Sequence, residues 1–127
     1  MERVQGIGGI FFKAADPKAL GAWYKANLGL DIESWGGSVI RWADQADAAN
    51  AYSVWSPFAE DTKYFEPSKS SFMINFRVRD LDAMLAQLRA AGCDVQDGLE
   101  DSEQGRFGWV VDPEGNKIEL WQPPEGA

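Results

Sequence analysis

Lys117, Glu119 and Trp121 alternate with Ile118 and Leu120 near the end of the chain. In an extended strand alternate side chains share a face, so Glu119 would stand beside Lys117 and Trp121 and away from the two aliphatic residues. A carboxylate in aromatic surroundings loses solvation, which raises its pKa and suits it to act as a general base or to anchor a ligand cation. Arg77, Lys13, Lys117 or Arg106 could instead neutralise it and return it to a structural ion pair. The same alternation in other runs groups Gly9 with Phe11 and Lys13, Ser53 with Trp55, and Met73 with Asn75 and Arg77. A plain solvent face would not hold Phe11, Trp55, Met73 and Trp121 together, because a large apolar patch marks a binding surface. Asn75 could orient a polar ligand group or simply pair with backbone, and the thioether of Met73 would adapt to an apolar ligand or pack. Arg106, between Gly105 and Phe107, reads either as closing a cavity rim over an anionic ligand or as a surface salt bridge. The expected ligand-binding set is therefore Phe11, Ser53, Trp55, Met73, Asn75, Arg106 and Trp121, with Glu119 as the one catalytic candidate.

Composition removes several chemistries. There is no histidine, so imidazole-based triads, His-rich metal sites and His proton shuttles are excluded. Six tryptophans in 127 residues require a rich aromatic core, a ligand pocket, an interface or some mixture. Trp23 falls on the apolar stripe of a helix, whereas the facing of Trp35, Trp42 and Trp109 is left open because Gly36, Gly37 and Gly108 break the period. Twelve basic against 20 acidic residues give a net charge of -8, which makes nucleic acid and anionic membrane poor partners and favours cationic or neutral ligands; the expected partner is a small organic molecule, cationic or aromatic. The dense acidic run from Asp94 to Glu103 reads as a solvated connection. A single cysteine, Cys93, cannot staple its own chain and fits a buried small hydrophobe in a reducing, cytoplasmic setting. No apolar run approaches the roughly 20 residues needed to span a bilayer, and Ile7 to Phe12 is too short for a signal peptide. The length suits one domain covering 1–127.

An internal repeat organises these residues. Gly9 to Asp16 is followed by Pro17 and an amphipathic stretch ending at Gly29, and Met73 to Asp80 by a similar stretch ending at Gly92, at an offset of about 64 residues. In each copy a strand-like run leads to an Asp suited to cap a helix, and the helix stops at a Gly suited to the left-handed position. Leu20, Trp23, Tyr24 and Leu28, and then Leu81, Met84, Leu85 and Leu88, recur at the spacing of one buried stripe. Three strands are expected after each helix. In the second copy they lie near Cys93 to Val95, over Gly105 to Asp112 and over Lys117 to Gln122, with Asp112 to Asn116 as the last hairpin turn. In the first copy Tyr52 to Pro57 aligns on Ile118 to Pro123. The pattern predicts an α+β domain of two β-α-β-β-β modules, about 4–57 and about 72–123, joined by a linker over 58–71. Ile10, Phe12, Tyr52, Val54, Ile74, Phe76, Val78, Ile118 and Leu120 are expected to face the helices. Sheets curving about a common cavity would explain the aromatic and polar character of the other face.

With these motifs in place the chain resembles the vicinal oxygen chelate superfamily, which includes glyoxalase I, extradiol dioxygenases, fosfomycin-modifying enzymes and bleomycin-binding resistance proteins. The resemblance rests on Phe11 to Asp16, on Trp23 to Leu30, on Phe76 to Gly92 and on Gly105 to Gln122 with its Asp112 to Asn116 turn. It implies a cup-shaped sheet built from paired modules, frequently completed in a homodimer, and in the enzymes a divalent metal held by the first and last strands of each module. The matching places are Gly9, Ser53, Met73 and Glu119, of which only Glu119 keeps a ligand chemistry. No metal and no cofactor are therefore expected. Three functions stay open: a protein that binds a small organic molecule in an aromatic cup, a metal-independent lyase or isomerase acting next to a carbonyl with Glu119 as base, and a non-catalytic dimeric interaction module.

Overall fold

The computed structural model describes residues 2, 10, 12, 14–42, 54–56 and 58–125. Its elements run α1 (Pro17–Leu28), β1 (Ile74–Arg77), α2 (Leu81–Ala90), β2 (Asp94–Val95), β3 (Glu100–Ser102), β4 (Gly105–Val111) and β5 (Lys117–Gln122). Both helices start and stop as their sequences dictate. Asp16 accepts a hydrogen bond from the Ala19 N–H at 3.1 Å, Pro17 fills the first turn, and Gly29 ends α1 with a φ of 72°. Asp80 caps α2 through the Ala83 N–H, and Gly92 takes the left-handed conformation just past its end.

Among the described residues five strands form one open sheet in the order β1-β5-β4-β2, with β3 paired to β4. β1 runs parallel to β5, and the remaining pairs are antiparallel. This is the expected β-α-β-β-β order of the second copy with one addition. β3 occupies part of the acidic run read as a plain connection, because the turn after Ser102 folds Glu100 and Asp101 back beside Phe107 and Arg106.

Both helices pack on one face of the sheet. Leu81, Leu85 and Leu88 of α2 and Leu20 and Tyr24 of α1 form a core with Val110, Ile118 and Leu120. Each fully buried leucine contributes about 2–3 kcal/mol. Gly108 lets α2 approach: a Cβ there would stand 3.1 Å from a methyl of Leu85. Ile74, Ile118 and Leu120 thus face the helices as expected, with Phe76 and Val78 packed at the margin.

The first copy departs from expectation. Among the described residues, neither 30–42 nor 54–56 forms a strand. Ile10, Phe12 and Val54, expected against the helices, are 53%, 41% and 67% exposed, since no first-copy strand among the described residues holds them to a sheet. Phe11, Lys13, Tyr52 and Ser53 lie outside the described residues.

A buried polar contact joins the two halves of the sequence. The Tyr24 hydroxyl donates to Asp112 Oδ2 at 2.8 Å, and the same carboxylate accepts the N–H groups of Glu114 and Asn116 and the Asn116 side-chain amide. Glu114 in turn accepts the backbone N–H groups of Ala15 and Asp16 ahead of α1. Burial, followed by the hydrogen bond and charge of Asp112, pushes the Tyr24 phenol far above its ordinary ionisation range. An unfolded tyrosine ionises near pH 10, so the stabilisation is complete below about pH 10 and is lost as pH rises through the higher folded-state value. Tyr24→Phe should cost about 1–3 kcal/mol near neutral pH and flatten the alkaline fall in stability. Urea midpoints near neutral pH and at about pH 11 check both.

Candidate functional site

The face of the sheet away from the helices carries Asn75 and Arg77 of β1, Lys117, Glu119 and Trp121 of β5, and Phe107 and Trp109 of β4. Register places them in rows: Asn75 and Trp109 both pair with Glu119, and Arg77 and Phe107 both pair with Trp121. Glu119 is only 7% exposed. Its Oε1 accepts from Asn75 Nδ2 at 2.8 Å, and its Oε2 accepts from Trp109 Nε1 at 2.9 Å and from the Tyr64 hydroxyl at 2.5 Å. A buried carboxylate requires such partners, and three elements supply them.

Tyr64 comes from the segment expected to be a linker. Residues 58–70 lie across this face as a strap of turns, closed by bonds such as Glu66 N–H to Lys63 carbonyl and Ser68 N–H to Phe65 carbonyl. The Tyr64 ring meets Trp109 edge-on at 6.1 Å and stacks on Phe58 at 5.5 Å. The Lys117 ammonium sits 5.1 Å from the Tyr64 ring centre and 5.2 Å from that of Trp109, and donates to the Tyr64 carbonyl at 2.6 Å. Burial, with the hydrogen bond and charge of Glu119 behind it, raises the Tyr64 phenol above its ordinary range. Burial lowers the Lys117 ammonium, and the charge of Glu119 opposes that shift. Tyr64 is therefore a protonated donor at neutral pH. To act as a base toward a substrate, Glu119 would first have to release it.

The second row is more tightly closed. Trp121 is 6% exposed, lies nearly parallel to Phe107 at 6.4 Å, and donates through Nε1 to the Gln104 carbonyl at 2.8 Å. Gly105 makes room for it: its φ is +119°, and a Cβ there would fall 2.3 Å from the Gln122 carbonyl oxygen and 3.0 Å from the indole nitrogen. The Arg77 guanidinium lies 6.0 Å over the Trp121 ring.

The structure brings Asn75, Glu119 and Trp121 together on this face. Met73 is half-buried just before β1. Trp55, expected to match Trp121, is instead 78% exposed. Arg106 points to the helix side, where it grips both oxygens of Asp82 and one of Asp101 at 3.0 Å; it forms the salt bridge of the two sequence readings. Phe11 and Ser53 lie outside the described residues. Cys93 is half-buried and packs at the margin of the core. Tyr64 and Trp109 are the partners of Glu119 that the sequence reading missed. Trp109 was within reach, because the Asp112 to Asn116 turn sets Val111 opposite Lys117 and hence Trp109 opposite Glu119.

Helix-side space is different in kind. An open groove of about 380 Å³ runs between the end of α1, Ile40 and the start of α2, lined by Leu28, Leu30, Phe76, Met84 and Leu120 with Arg79 and Asp80. No helix among the described residues is long and apolar enough to cross a membrane.

The family model for the glyoxalase-like domain matches residues 9–121. This chain belongs to the glyoxalase-like domain family. Several solved structures align over most of its length. TnmS3, an antibiotic binding protein from Streptomyces sp. CB03234, is 26% identical, with 87% of this chain and 88% of that one covered and a TM-score of 0.53. A protein of unknown function from Agrobacterium tumefaciens str. C58 is 19% identical over 93% of this chain and 98% of that one, at a TM-score of 0.55, a likeness of fold. Some matches are partial: a glyoxalase/bleomycin resistance protein from Streptomyces sp. CB03234, 38% identical, is aligned over 41% of this chain and 46% of its own length at a TM-score of 0.37. In these partial matches this chain spans less than half the length of the relative. No curated protein matches. The α+β architecture, among the described residues an open five-stranded sheet with two helices, is that of the glyoxalase/bleomycin resistance/dioxygenase fold.

The family's enzymes raise the question of a metal at Glu119. Among the described residues no group of three or more His, Cys, Asp or Glu side chains is placed to hold a metal ion, and both oxygens of Glu119 are turned to N–H and O–H donors. This donor set does not fit a divalent ion. Titration with Ni²⁺, Zn²⁺ or Mn²⁺, followed by metal analysis, should show no stoichiometric binding; one tightly held ion per chain would contradict the assignment.

Proposed function

We propose that this glyoxalase-like domain binds a small aromatic molecule on the carboxylate-bearing face of its sheet. One observation carries the reading: a buried acceptor, Glu119, is set between two aromatic side chains, Tyr64 and Trp109, with a cation, Lys117, over both rings. Apolar walls with a few convergent polar groups are the general character of small-molecule sites. Similarity to an antibiotic binding protein over most of both chains supports the same reading. The net charge of -8 favours cationic guests in general, but Lys117 already supplies the cation at this face, so a neutral or electron-rich aromatic suits it better. The reading includes a homodimer, supported by the exposed apolar side chains of Trp35, Val39, Ile40, Trp42, Val54 and Trp55. Sedimentation of the purified protein would test that part by returning twice the chain mass.

Tryptophan emission titrated with polycyclic aromatics should change saturably. Trp109→Leu should lose most of the change and at least tenfold in affinity while the protein stays folded by circular dichroism. Binding unchanged in Trp109→Leu would place the ligand elsewhere, with the groove beside Met84 as the next candidate. Silence of the wild type toward the whole aromatic panel would overturn the reading.

A further inference from the structure

The strap over Glu119 already behaves as an aromatic guest. Tyr64 gives its phenolic O–H to the carboxylate, sets its ring edge on Trp109 and offers its π-face to the Lys117 ammonium. Those three partners belong to the sheet and not to the strap, so they form a complete receptor for a phenol: an anionic acceptor that demands a donor, an aromatic wall, and a cation that favours an electron-rich ring. Asn75 holds the other carboxylate oxygen and keeps the acceptor in place.

Apart from Tyr64, whose hydroxyl and carbonyl both meet the sheet, the side chains of the turn are largely exposed. Phe58, which backs Tyr64, is 47% exposed, and the Lys63–Glu66 ion pair at the turn has side chains 85% and 63% exposed. Its far end is tied separately, through Ser70 Oγ to Asn116 Oδ1 at 3.0 Å. A ligand carrying its own phenol could therefore exchange with Tyr64 without leaving Glu119 short of a partner, whereas a ligand lacking a donor would strand a buried acceptor.

Resting on the reading that this face binds an aromatic molecule, we propose its ligand class: planar aromatics bearing a phenolic hydroxyl, which bind by taking the place of Tyr64 while the turn over 61–66 lifts from the sheet.

2-Naphthol and 2-methoxynaphthalene, which share the ring system while a methyl group replaces the hydroxyl hydrogen in the second, separate the possibilities. By calorimetry, 2-naphthol should bind the wild type at least tenfold tighter than its methyl ether. Tyr64→Phe keeps the ring and removes the competing O–H from the closed state, so it should raise the affinity of both probes about tenfold and preserve the preference for 2-naphthol. Glu119→Gln should reduce the preference between the two probes, and hydrogen exchange over 61–66 should speed up when 2-naphthol is bound. Equal binding of both probes, or 2-naphthol affinity unmoved by Tyr64→Phe, would overturn the ligand class while leaving an aromatic site standing. Failure of every aromatic in the tryptophan titration would remove both.

Discussion

The buried carboxylate of Asp112 is the constraint on which the arrangement of this domain turns. It lies 4% exposed at the start of the final hairpin and accepts four hydrogen bonds: two from the backbone of its own turn, one from the Asn116 amide and one from the Tyr24 hydroxyl. The first three shape the turn that aligns β4 with β5. The fourth fastens the helix of the first half of the sequence to the hairpin of the second. A charge so buried is tolerable only when it is fully partnered, so turn and helix depend on each other.

From that hairpin the two faces of the sheet follow. On one, Val110, Ile118 and Leu120 meet both helices, and the missing side chain at Gly108 lets Leu85 come down onto the sheet. On the other, the same two strands present Trp109, Lys117 and Glu119, which a helix could not cover without stranding their polar atoms. A strap carrying its own hydroxyl and carbonyl covers them instead, meeting the carboxylate with Tyr64 Oη and the ammonium with the Tyr64 carbonyl. Arg106 shows how sharply strand alternation divides chemistry: one residue from Phe107, it serves Asp82 and Asp101 on the helix side.

Much of the second half was legible in the sequence because its signals are local. Asp80, the stripe of Leu81, Leu85 and Leu88, the Asp112 to Asn116 turn and the alternation through β5 each rest on a few neighbouring residues, and each appears where the pattern puts it. The pairing of Asn75 with Glu119 follows from the same alternation once the strands are adjacent. Trp109 was obscured by treating Gly108 as a break, when that glycine is a regular strand position emptied for Leu85. Tyr64 had no local signal: it lies 55 residues from Glu119 in a polar, proline-containing stretch whose turns reveal nothing of what they cover. The first-copy strands are the opposite case, since repeat symmetry predicted pairing that residues 54–56 do not make, and Trp55 stands exposed where Trp121 is buried.

Glu119 also has a consequence for how the chain chooses among possible sheets. Its donors come from β1, β4 and the strap, and Asn75 and Trp109 reach it only because both are its direct cross-strand partners. Sliding either neighbouring strand by one residue would turn that donor to the helix side, bring a mismatched side chain up to the core and leave a carboxylate enclosed without its partner. Aliphatic positions such as Ile74 and Ile118 tolerate many neighbours, whereas this carboxylate tolerates few. A single acidic residue thus penalises misaligned alternatives as well as satisfying the native one, and it gives the parallel and antiparallel pairings on either side of β5 a common register.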